Sequence, residues 1–130
     1  MTSQIEKMKI LIADDERNVR NLVRFTFERR GFEVVEATDG IEAVTVARQE
    51  SPDLILLDAM MPGMSGYEAS RELKKGETTR EIPIVFLSAK GQAYEVAEGL
   101  QAGAVAYIIK PFSPKELVAQ VEEILQKHQR

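Results

Sequence analysis

The sequence predicts a doubly wound α/β sandwich, in which helices cover both faces of a five-stranded parallel sheet. Five short apolar runs have the length and aliphatic content of strands. Segments with helical spacing of apolar residues separate these runs, and such alternation requires right-handed crossovers and therefore a parallel sheet. The runs LILL and IVFL are continuously apolar, which indicates strands that are buried on both faces.

The elements follow one another in a regular order along the chain. The predicted strands are residues 9–13, 33–37, 53–57, 84–88 and 105–109. Between and after them, apolar residues recur at helical spacing in five segments, marked by Val19, Leu22, Val23 and Phe27; by Ile41, Ala43, Val44 and Ala47; by Tyr67, Ala69 and Leu73; by Ala93, Val96, Ala97 and Leu100; and by Leu117, Val118, Val121, Ile124 and Leu125. Gly31 is a suitable end for the first helix. Ser113, with Pro114 and Glu116 after it, predicts a capping box at the start of the fifth.

Length and composition indicate one soluble domain. A chain of 130 residues with 44% hydrophobic and 29% charged residues can bury a single core, so we expect one domain over residues 1–130, with residues 1–8 as a flexible extension. The apolar run 104–109 is far shorter than the roughly 20 residues of a membrane span, and the N-terminus lacks the apolar core of a signal peptide. We therefore expect a cytoplasmic protein without a membrane partner.

Several chemistries are excluded or disfavoured by residue counts. The chain has no cysteine and a single histidine, His128 near its C-terminus, which argues against thiolate or histidine metal sites and against cysteine or histidine catalysis. A net charge of -4 argues against direct nucleic-acid binding. The arginines of the first helical segment are interpreted as a solvated helix face. Any chemistry must rest on carboxylates, hydroxyls and lysines.

Reactive side chains follow the ends of four predicted strands. The first strand is followed by Asp14 and Asp15 and the third by Asp58, while the fourth ends on Ser88 and the fifth leads into Lys110. Ligands of parallel α/β sheets bind outside the carboxyl ends of the strands, so these groups are expected to meet at one edge. Three neighbouring carboxylates require a cation, and a set of oxygen ligands favours Mg²⁺.

This combination is also typical of an aspartyl-phosphate site. A carboxylate can act as a nucleophile toward a phosphoryl group, and a metal ion and an ammonium group can neutralise the transferring oxygens. Each residue has a simpler alternative: Asp14 and Asp15 could cap the following helix, Ser88 could be an ordinary strand-end residue, and Lys110 could be solvated. Their coincidence at four of the five strand ends favours the chemical interpretation.

Four motifs, ILIADDE, LILLDAMMPGMSGYE, IVFLSAKG and AYIIKPFSPKEL, together make the chain resemble the receiver domain of two-component response regulators, the CheY-like superfamily with a flavodoxin-like fold. The resemblance spans the whole chain. It implies a phosphorylation-dependent signalling switch that accepts a phosphoryl group from a histidine kinase. It also implies that the domain is not an enzyme in the usual sense, since it would catalyse only its own Mg²⁺-dependent phosphorylation and dephosphorylation.

The resemblance assigns a role to each matching residue. Asp58 would be the phosphoacceptor, and Lys110 would pair with a phosphoryl oxygen and precede a cis proline. Ser88 and Tyr107 would be the switch residues that relay the change to the face formed by the fourth helix, fifth strand and fifth helix. Mg²⁺, for which Mn²⁺ is an expected substitute, would be held by Asp14, Asp15, Asp58 and the backbone carbonyl of Met60.

The expected partner is a sensor histidine kinase or a histidine phosphotransfer protein. By resemblance, its docking region would comprise Asn18, Val19, Leu22, Pro111 and Phe112, although the helical pattern alone would place Leu22 in the core. Receivers that dimerise in DNA-binding regulators often carry acidic residues after the fourth helix and arginines on the fifth. This chain has GAVAY and ELVAQVEEIL there, which disfavours those ion pairs and favours a single-domain regulator or another output domain, and a phosphorylation-dependent dimer stays open.

Two alternative functions share parts of the pattern. An aspartyl-phosphate hydrolase of the haloacid dehalogenase type also uses an aspartate and Mg²⁺, but it needs a second acid two residues after the nucleophile, where this chain has Met60. A flavodoxin-like cofactor-binding module shares the fold. Such a module would place a phosphate-binding loop after the first strand, where Asp14 and Asp15 would repel phosphate.

Overall fold

Five strands and five helices alternate along the chain in the computed structural model, which describes residues 8–128. The elements are β1 (Lys9–Ala13), α1 (Arg17–Glu28), β2 (Glu33–Ala37), α2 (Gly40–Glu50), β3 (Leu54–Asp58), α3 (Gly66–Lys75), β4 (Ile84–Ser88), α4 (Ala93–Gln101), β5 (Ala106–Ile109) and α5 (Pro114–Lys127). Two strands begin one residue later than predicted, and β3 includes Asp58 because this residue pairs with Leu87 of β4. None of the helices in residues 8–128 is both long enough and apolar enough to span a membrane.

All strands are parallel and lie in the order β2-β1-β3-β4-β5. The chain runs from β1 to β2 on one side and then crosses to β3 on the other, so the strand order switches between β1 and β3. The register aligns the carboxyl ends, with Ala13 opposite Leu57 and Asp58 opposite Leu87. Ser88 lies opposite Ile109. The doubly wound fold is confirmed, and the residues that follow the strands share one edge.

A separate apolar cluster lies on each face of the sheet. Phe27 of α1 and Val121 of α5 belong to the cluster on one face, and both are fully buried. Ala47 of α2 and Leu73 of α3 belong to the cluster on the opposite face. The interior strands β3 and β4 are buried between the two clusters, since all five residues of each are inaccessible or nearly so. This burial explains why their sequences are continuously aliphatic.

The expectation that Leu22 is buried was wrong, and the apolar spacing of α4 does not coincide with its buried face. Leu22 is 40% exposed, although its spacing on α1 placed it with the core residues Val23 and Phe27. In α4, only Gly99 is buried, whereas Leu100 is 48% exposed. Helical spacing identifies residues that share a face, but the packing of a helix decides where that face ends.

Two further predictions, the N-terminal extension over residues 1–8 and the capping box of α5, are only partly met. Residues 1–7 of the expected N-terminal extension lie outside the described residues, and Met8, the last residue of that extension, packs against the core cluster of α1 and α5. At α5, Ser113 accepts a hydrogen bond from the Glu116 N–H at 3.3 Å, while the returning half of the predicted capping box is not formed among residues 8–128.

Candidate functional site

Three aspartates meet where the strand order switches. Asp14 and Asp15 directly follow β1, and Asp58 ends the neighbouring β3. One carboxylate oxygen from each lies within 4.8 Å of the others. Asp14 is fully buried and Asp58 is 6% exposed, whereas Asp15 faces solvent. The predicted acidic cluster is therefore present, and two of its members are inside the protein.

Lys110, the lysine of the predicted site, points into the acidic cluster. Its Nζ donates a hydrogen bond to Asp14 Oδ2 at 2.9 Å and lies 3.8 Å from Asp58 Oδ2. Glu16 approaches the same ammonium group at 3.7 Å. The residue follows β5, and the peptide bond between Lys110 and Pro111 is cis. A single ammonium group thus faces several carboxylates.

The cluster shifts the pKa values of its members. Burial, together with the charge of Asp14, raises the pKa of Asp58 to about 6, because both disfavour the ionised carboxylate. Burial disfavours the Lys110 ammonium, but its hydrogen bond to Asp14 and the charges of Asp14, Asp58 and Glu16 outweigh that cost and raise its pKa. Lys110 therefore stays charged, and an additional cation would relieve the remaining repulsion.

The loop after β3 packs closely against the backbone of Asp58. The N–H of Met60 donates to Asp58 Oδ1 at 3.4 Å, while the Met60 side chain is half exposed. The N–H of Gly66 donates to the Ala59 carbonyl at 2.8 Å, which brings the start of α3 against the strand end. A Cβ atom at Gly66 would collide with the Asp58 carbonyl oxygen, so this position requires glycine. The glycine of the MSG motif thus fixes α3 beside the cluster.

Ser88 and Tyr107 are linked through the backbone of Lys90. Ser88 is buried, and its Oγ accepts a hydrogen bond from the Lys90 N–H at 3.0 Å. The Tyr107 hydroxyl donates to the Lys90 carbonyl at 2.7 Å. The backbone N–H of Lys110 donates to the Ser88 carbonyl at 2.8 Å. A displacement of Ser88 would therefore be felt at both Tyr107 and Lys110.

An apolar cleft lies next to the acidic cluster. It has a volume of about 460 Å³ and is lined by all five residues predicted to dock a partner, Asn18, Val19, Leu22, Pro111 and Phe112. Lys110 also borders this cleft, so the cleft opens directly beside the carboxylates. The exposure of Leu22, which contradicts the core prediction, adds an apolar side chain to those of Val19, Pro111 and Phe112 on this surface.

Two residues near the site were missed by sequence reasoning. Glu16 adds a third carboxylate near Lys110, after those of Asp14 and Asp58. The DDE motif, in which it directly follows the two aspartates, was the signal available. Tyr67 was counted only as an apolar residue of the third helix, yet its hydroxyl lies 3.1 Å from the Tyr107 hydroxyl. No sequence pattern connects these two tyrosines, since their contact depends on how α3 and β5 pack.

The donor set fits a hard divalent cation. Carboxylate oxygens are the ligands that Mg²⁺ prefers, and two or three of them suffice because the ion retains several waters. Asp14, Asp15 and Asp58 supply such oxygens from three positions around one point. Burial and the charge of Asp14 raise the pKa of Asp58 despite the nearby Lys110, so a bound cation would favour its ionised form. The arrangement can therefore hold Mg²⁺ and present a carboxylate beside it.

Comparison with known proteins identifies the family. Residues 10–122 match the family described as response regulator receiver domain. The phosphate regulon transcriptional regulatory protein PhoB of Escherichia coli is 45% identical over 119 residues, which are 92% of this chain and 52% of that protein. The chain therefore spans about half the length of the curated relatives it matches.

Solved structures agree with this assignment. The chemotaxis protein CheY4 of Vibrio cholerae superposes with a TM-score of 0.86 at 30% identity, covering 91% of this chain and 98% of that one. A putative response regulator from Chloroflexus aurantiacus superposes with a TM-score of 0.87 at 33% identity, covering 92% and 98%. These findings do not support the hydrolase or cofactor-module alternatives. The chain belongs to the receiver domains of two-component response regulators.

Proposed function

We propose that Asp58 is the phosphoacceptor of this receiver and that a sensor histidine kinase or a histidine phosphotransfer protein is its donor. The observation that carries the proposal is the placement of a buried carboxylate beside Asp14 and Lys110 at the edge where the strand order switches. We further propose that Asp14, Asp15, Asp58 and the Met60 carbonyl hold Mg²⁺. Mn²⁺ is expected to substitute.

The chemistry is a phosphoryl transfer. An oxygen of the Asp58 carboxylate forms a bond to phosphorus while the bond from phosphorus to the donor histidine nitrogen breaks, and the electron pair leaves with that nitrogen. Such transition states are loose, so positioning and charge neutralisation supply most of the catalysis. Bound Mg²⁺ supplies positive charge beside the transferring oxygens. Lys110 is placed to neutralise another of them, and its raised pKa keeps it protonated.

The signal would leave the site through Ser88. A phosphoryl group on Asp58 brings about -1.5 to -2 charges and new acceptor oxygens, which would attract the Ser88 hydroxyl. Because Lys90 bonds to both Ser88 and Tyr107, this movement would change the position of the Tyr107 ring. Tyr107 borders the face formed by α4, β5 and α5. That face exposes the apolar side chains Tyr94, Leu100, Val105 and Ile109.

The partner surfaces follow from the same geometry. The apolar cleft beside Lys110 would receive the phosphodonor, since it opens next to Asp58. The exposed face of α4 and β5 would meet the downstream target or a second receiver through apolar contacts, because the acidic and arginine positions typical of ion-paired dimers are absent from GAVAY and ELVAQVEEIL. We propose a cytoplasmic signalling domain whose only reactions are its own phosphorylation and dephosphorylation.

The proposal is tested by phosphorylation in vitro. Purified protein is incubated with acetyl phosphate and Mg²⁺, and intact mass and Phos-tag electrophoresis measure phosphoryl uptake. Asp58→Asn is expected to abolish uptake, and chelation of Mg²⁺ is expected to do the same. Asp39→Asn is the matched control, because this aspartate caps α2 and asparagine caps equally well. Uptake by Asp58→Asn equal to wild type would refute the assignment.

A further inference from the structure

The Tyr107 ring points inward and packs at a defined position. It packs on the buried Phe86 with ring centroids 5.8 Å apart, and Phe86 in turn packs on Tyr67 at 5.2 Å. Tyr67 is 7% exposed and lies in the first turn of α3. The three rings form a continuous stack from α3 to β5, so the position of Tyr107 depends on residues beyond its own strand.

The hydroxyl groups at the ends of this stack form a directed chain of hydrogen bonds. Tyr107 uses its single proton to donate to the Lys90 carbonyl at 2.7 Å. The Tyr107 oxygen therefore acts as the acceptor in its 3.1 Å contact with Tyr67. The Tyr67 hydroxyl donates across this contact, which is shorter than its 3.4 Å contact with the Glu95 carbonyl of α4. Burial raises the pKa of Tyr67, so this donor remains protonated under physiological conditions.

Gly99 of α4 provides the space for the ring. A Cβ atom at this position would lie 2.8 Å from Cδ2 and 3.0 Å from Cε2 of Tyr107, and 3.1 Å from the Phe86 ring. Contacts this short would require the tyrosine ring to move outward. Glycine inside a helix is otherwise unfavourable relative to alanine. The inward position of Tyr107 is therefore a physical reason for glycine at this position of α4.

We propose that Tyr67 and Gly99 form a latch that sets how often Tyr107 occupies its inward position, Tyr67 by donating a hydrogen bond and Gly99 by leaving space. The inference rests on the proposed function, in which Tyr107 relays the state of Asp58. Both are positioning residues, since neither contacts the acidic cluster. Tyr67 adds a second connection to the site, because the preceding Gly66 packs against the Asp58 carbonyl.

The first test is Tyr67→Phe, which keeps the ring contacts and removes the hydroxyl that meets Tyr107 and, at 3.4 Å, the Glu95 carbonyl. Protein labelled with ¹³C-tyrosine is titrated with beryllofluoride in saturating Mg²⁺, and side-chain NMR of Tyr107 reports its inward and outward populations. We expect the inward-to-outward ratio to fall about fivefold, the size of one neutral hydrogen bond. The apparent affinity for beryllofluoride should weaken by up to the same factor.

A double-mutant cycle separates the latch from a general structural effect. In the Tyr107→Phe background, the Tyr67 hydroxyl keeps only its long 3.4 Å contact with the Glu95 carbonyl, so most of the effect of Tyr67→Phe on the affinity for beryllofluoride should disappear. Tyr94→Phe is the matched control, since Tyr94 is 71% exposed and its change should leave the Tyr107 populations unchanged. An effect of Tyr67→Phe that persists undiminished in the Tyr107→Phe background would overturn the latch.

The second variant, Gly99→Ala, dissociates switching from helix stability. Alanine favours the helix but fills the space of the inward ring, so the inward resonance of Tyr107 should be lost while the thermal midpoint is kept or raised. An inward Tyr107 in this variant would contradict the role of Gly99.

Phosphoryl uptake from acetyl phosphate is measured on the same samples. Failure of wild type to take up phosphate refutes the proposed function, whereas normal uptake with unchanged Tyr107 populations in Tyr67→Phe refutes only the latch.

Discussion

Glu36 on β2 and Asp58 on β3 are carboxylates on the same sheet whose surroundings shift their pKa values in opposite directions. Burial disfavours the charged form of Glu36, yet hydrogen bonds from Arg24 at 2.7 Å and Arg20 at 2.9 Å outweigh it and lower the pKa. Among residues 8–128, Asp58 has no charged hydrogen-bond donor, since Lys110 lies 3.8 Å away and bonds to Asp14 instead. Its pKa rises to about 6.

Burial raises the pKa of both carboxyl groups, and the difference lies in whether neighbouring cations outweigh it. Two guanidinium groups bond to the one carboxylate of Glu36. Within the part of the chain that the structure describes, the ammonium of Lys110 is the one cation paired with the acidic cluster. The first arrangement is complete without any ligand and stabilises the fold. The second brings three carboxylates together beside Lys110, and a bound cation would offset their repulsion. Perturbed pKa values of this second kind are typical of functional sites.

Asp58→Asn should give the largest contrast. It removes the carboxylate at which phosphoryl uptake is proposed, so uptake should be lost entirely. Without Mg²⁺ at neutral pH, the free energy of unfolding should rise by about 1 to 2 kcal/mol. The reason is that a charge disfavoured by burial and by Asp14 is removed. Urea denaturation with EDTA present measures the change. A less stable Asp58→Asn protein would show that the cluster is not under electrostatic stress.

Lys110→Met should destabilise the domain by about 3 kcal/mol, because it leaves the buried Asp14 carboxylate without its partner. Saturating Mg²⁺ should restore part of the loss by replacing the missing positive charge. The control is Lys127→Met at an exposed ion pair on α5, for which a change within about 0.5 kcal/mol is expected. Equal effects of the two variants in urea denaturation would argue against a special role for the Lys110 charge.

Mg²⁺ should stabilise the wild-type protein by about 2.7 kcal/mol at one hundred times its dissociation constant. The double variant Asp14→Asn/Asp15→Asn should lose this dependence along with phosphoryl uptake. Thermal midpoints measured over a Mg²⁺ series at constant ionic strength provide the test. A midpoint that rises equally in both proteins would place the bound ion elsewhere.

Glu36→Gln should have the smallest effect, a loss of about 1 kcal/mol at neutral pH. Because the pKa of Glu36 is lower in the folded protein, its contribution is complete above the pKa of the unfolded chain and declines as pH falls through the folded value. The gap between variant and wild type should therefore close in acid. Glu33→Gln on the same strand is the control, since its ion pair with Lys9 is longer at 3.9 Å. A gap that is constant with pH would exclude the ion pairs as its cause.

The sequence was sufficient to predict the fold and the meeting of the acidic cluster with Lys110. Parallel topology forces every strand end to one edge, so placing the strands also placed Asp14, Asp58 and Lys110. Strand bounds were correct to within one residue, because each strand is a short apolar run bounded by polar or turn-forming residues. The roles of these residues in phosphoryl transfer stay predictions.

Contacts between elements could not be predicted in the same way. Helical spacing placed Ala97 and Leu100 on one face of α4, but the helix turns Gly99 toward the sheet because Tyr107 occupies the space beneath it. Likewise, Tyr67 was a core residue by pattern, whereas its hydroxyl contact with Tyr107 arises from packing across 40 positions of sequence. A periodic pattern contains no information about which partner a face will meet.

The ion pair between Asp14 and Lys110 joins residues 96 positions apart. Contacts of such long range require most of the chain to be ordered before they can form. A nascent or partly folded chain would therefore hold Asp14 and Asp58 without Lys110 beside them. We expect phosphoryl uptake to appear only with the last step of folding. A kinase would then phosphorylate completely folded receivers and not partly folded ones.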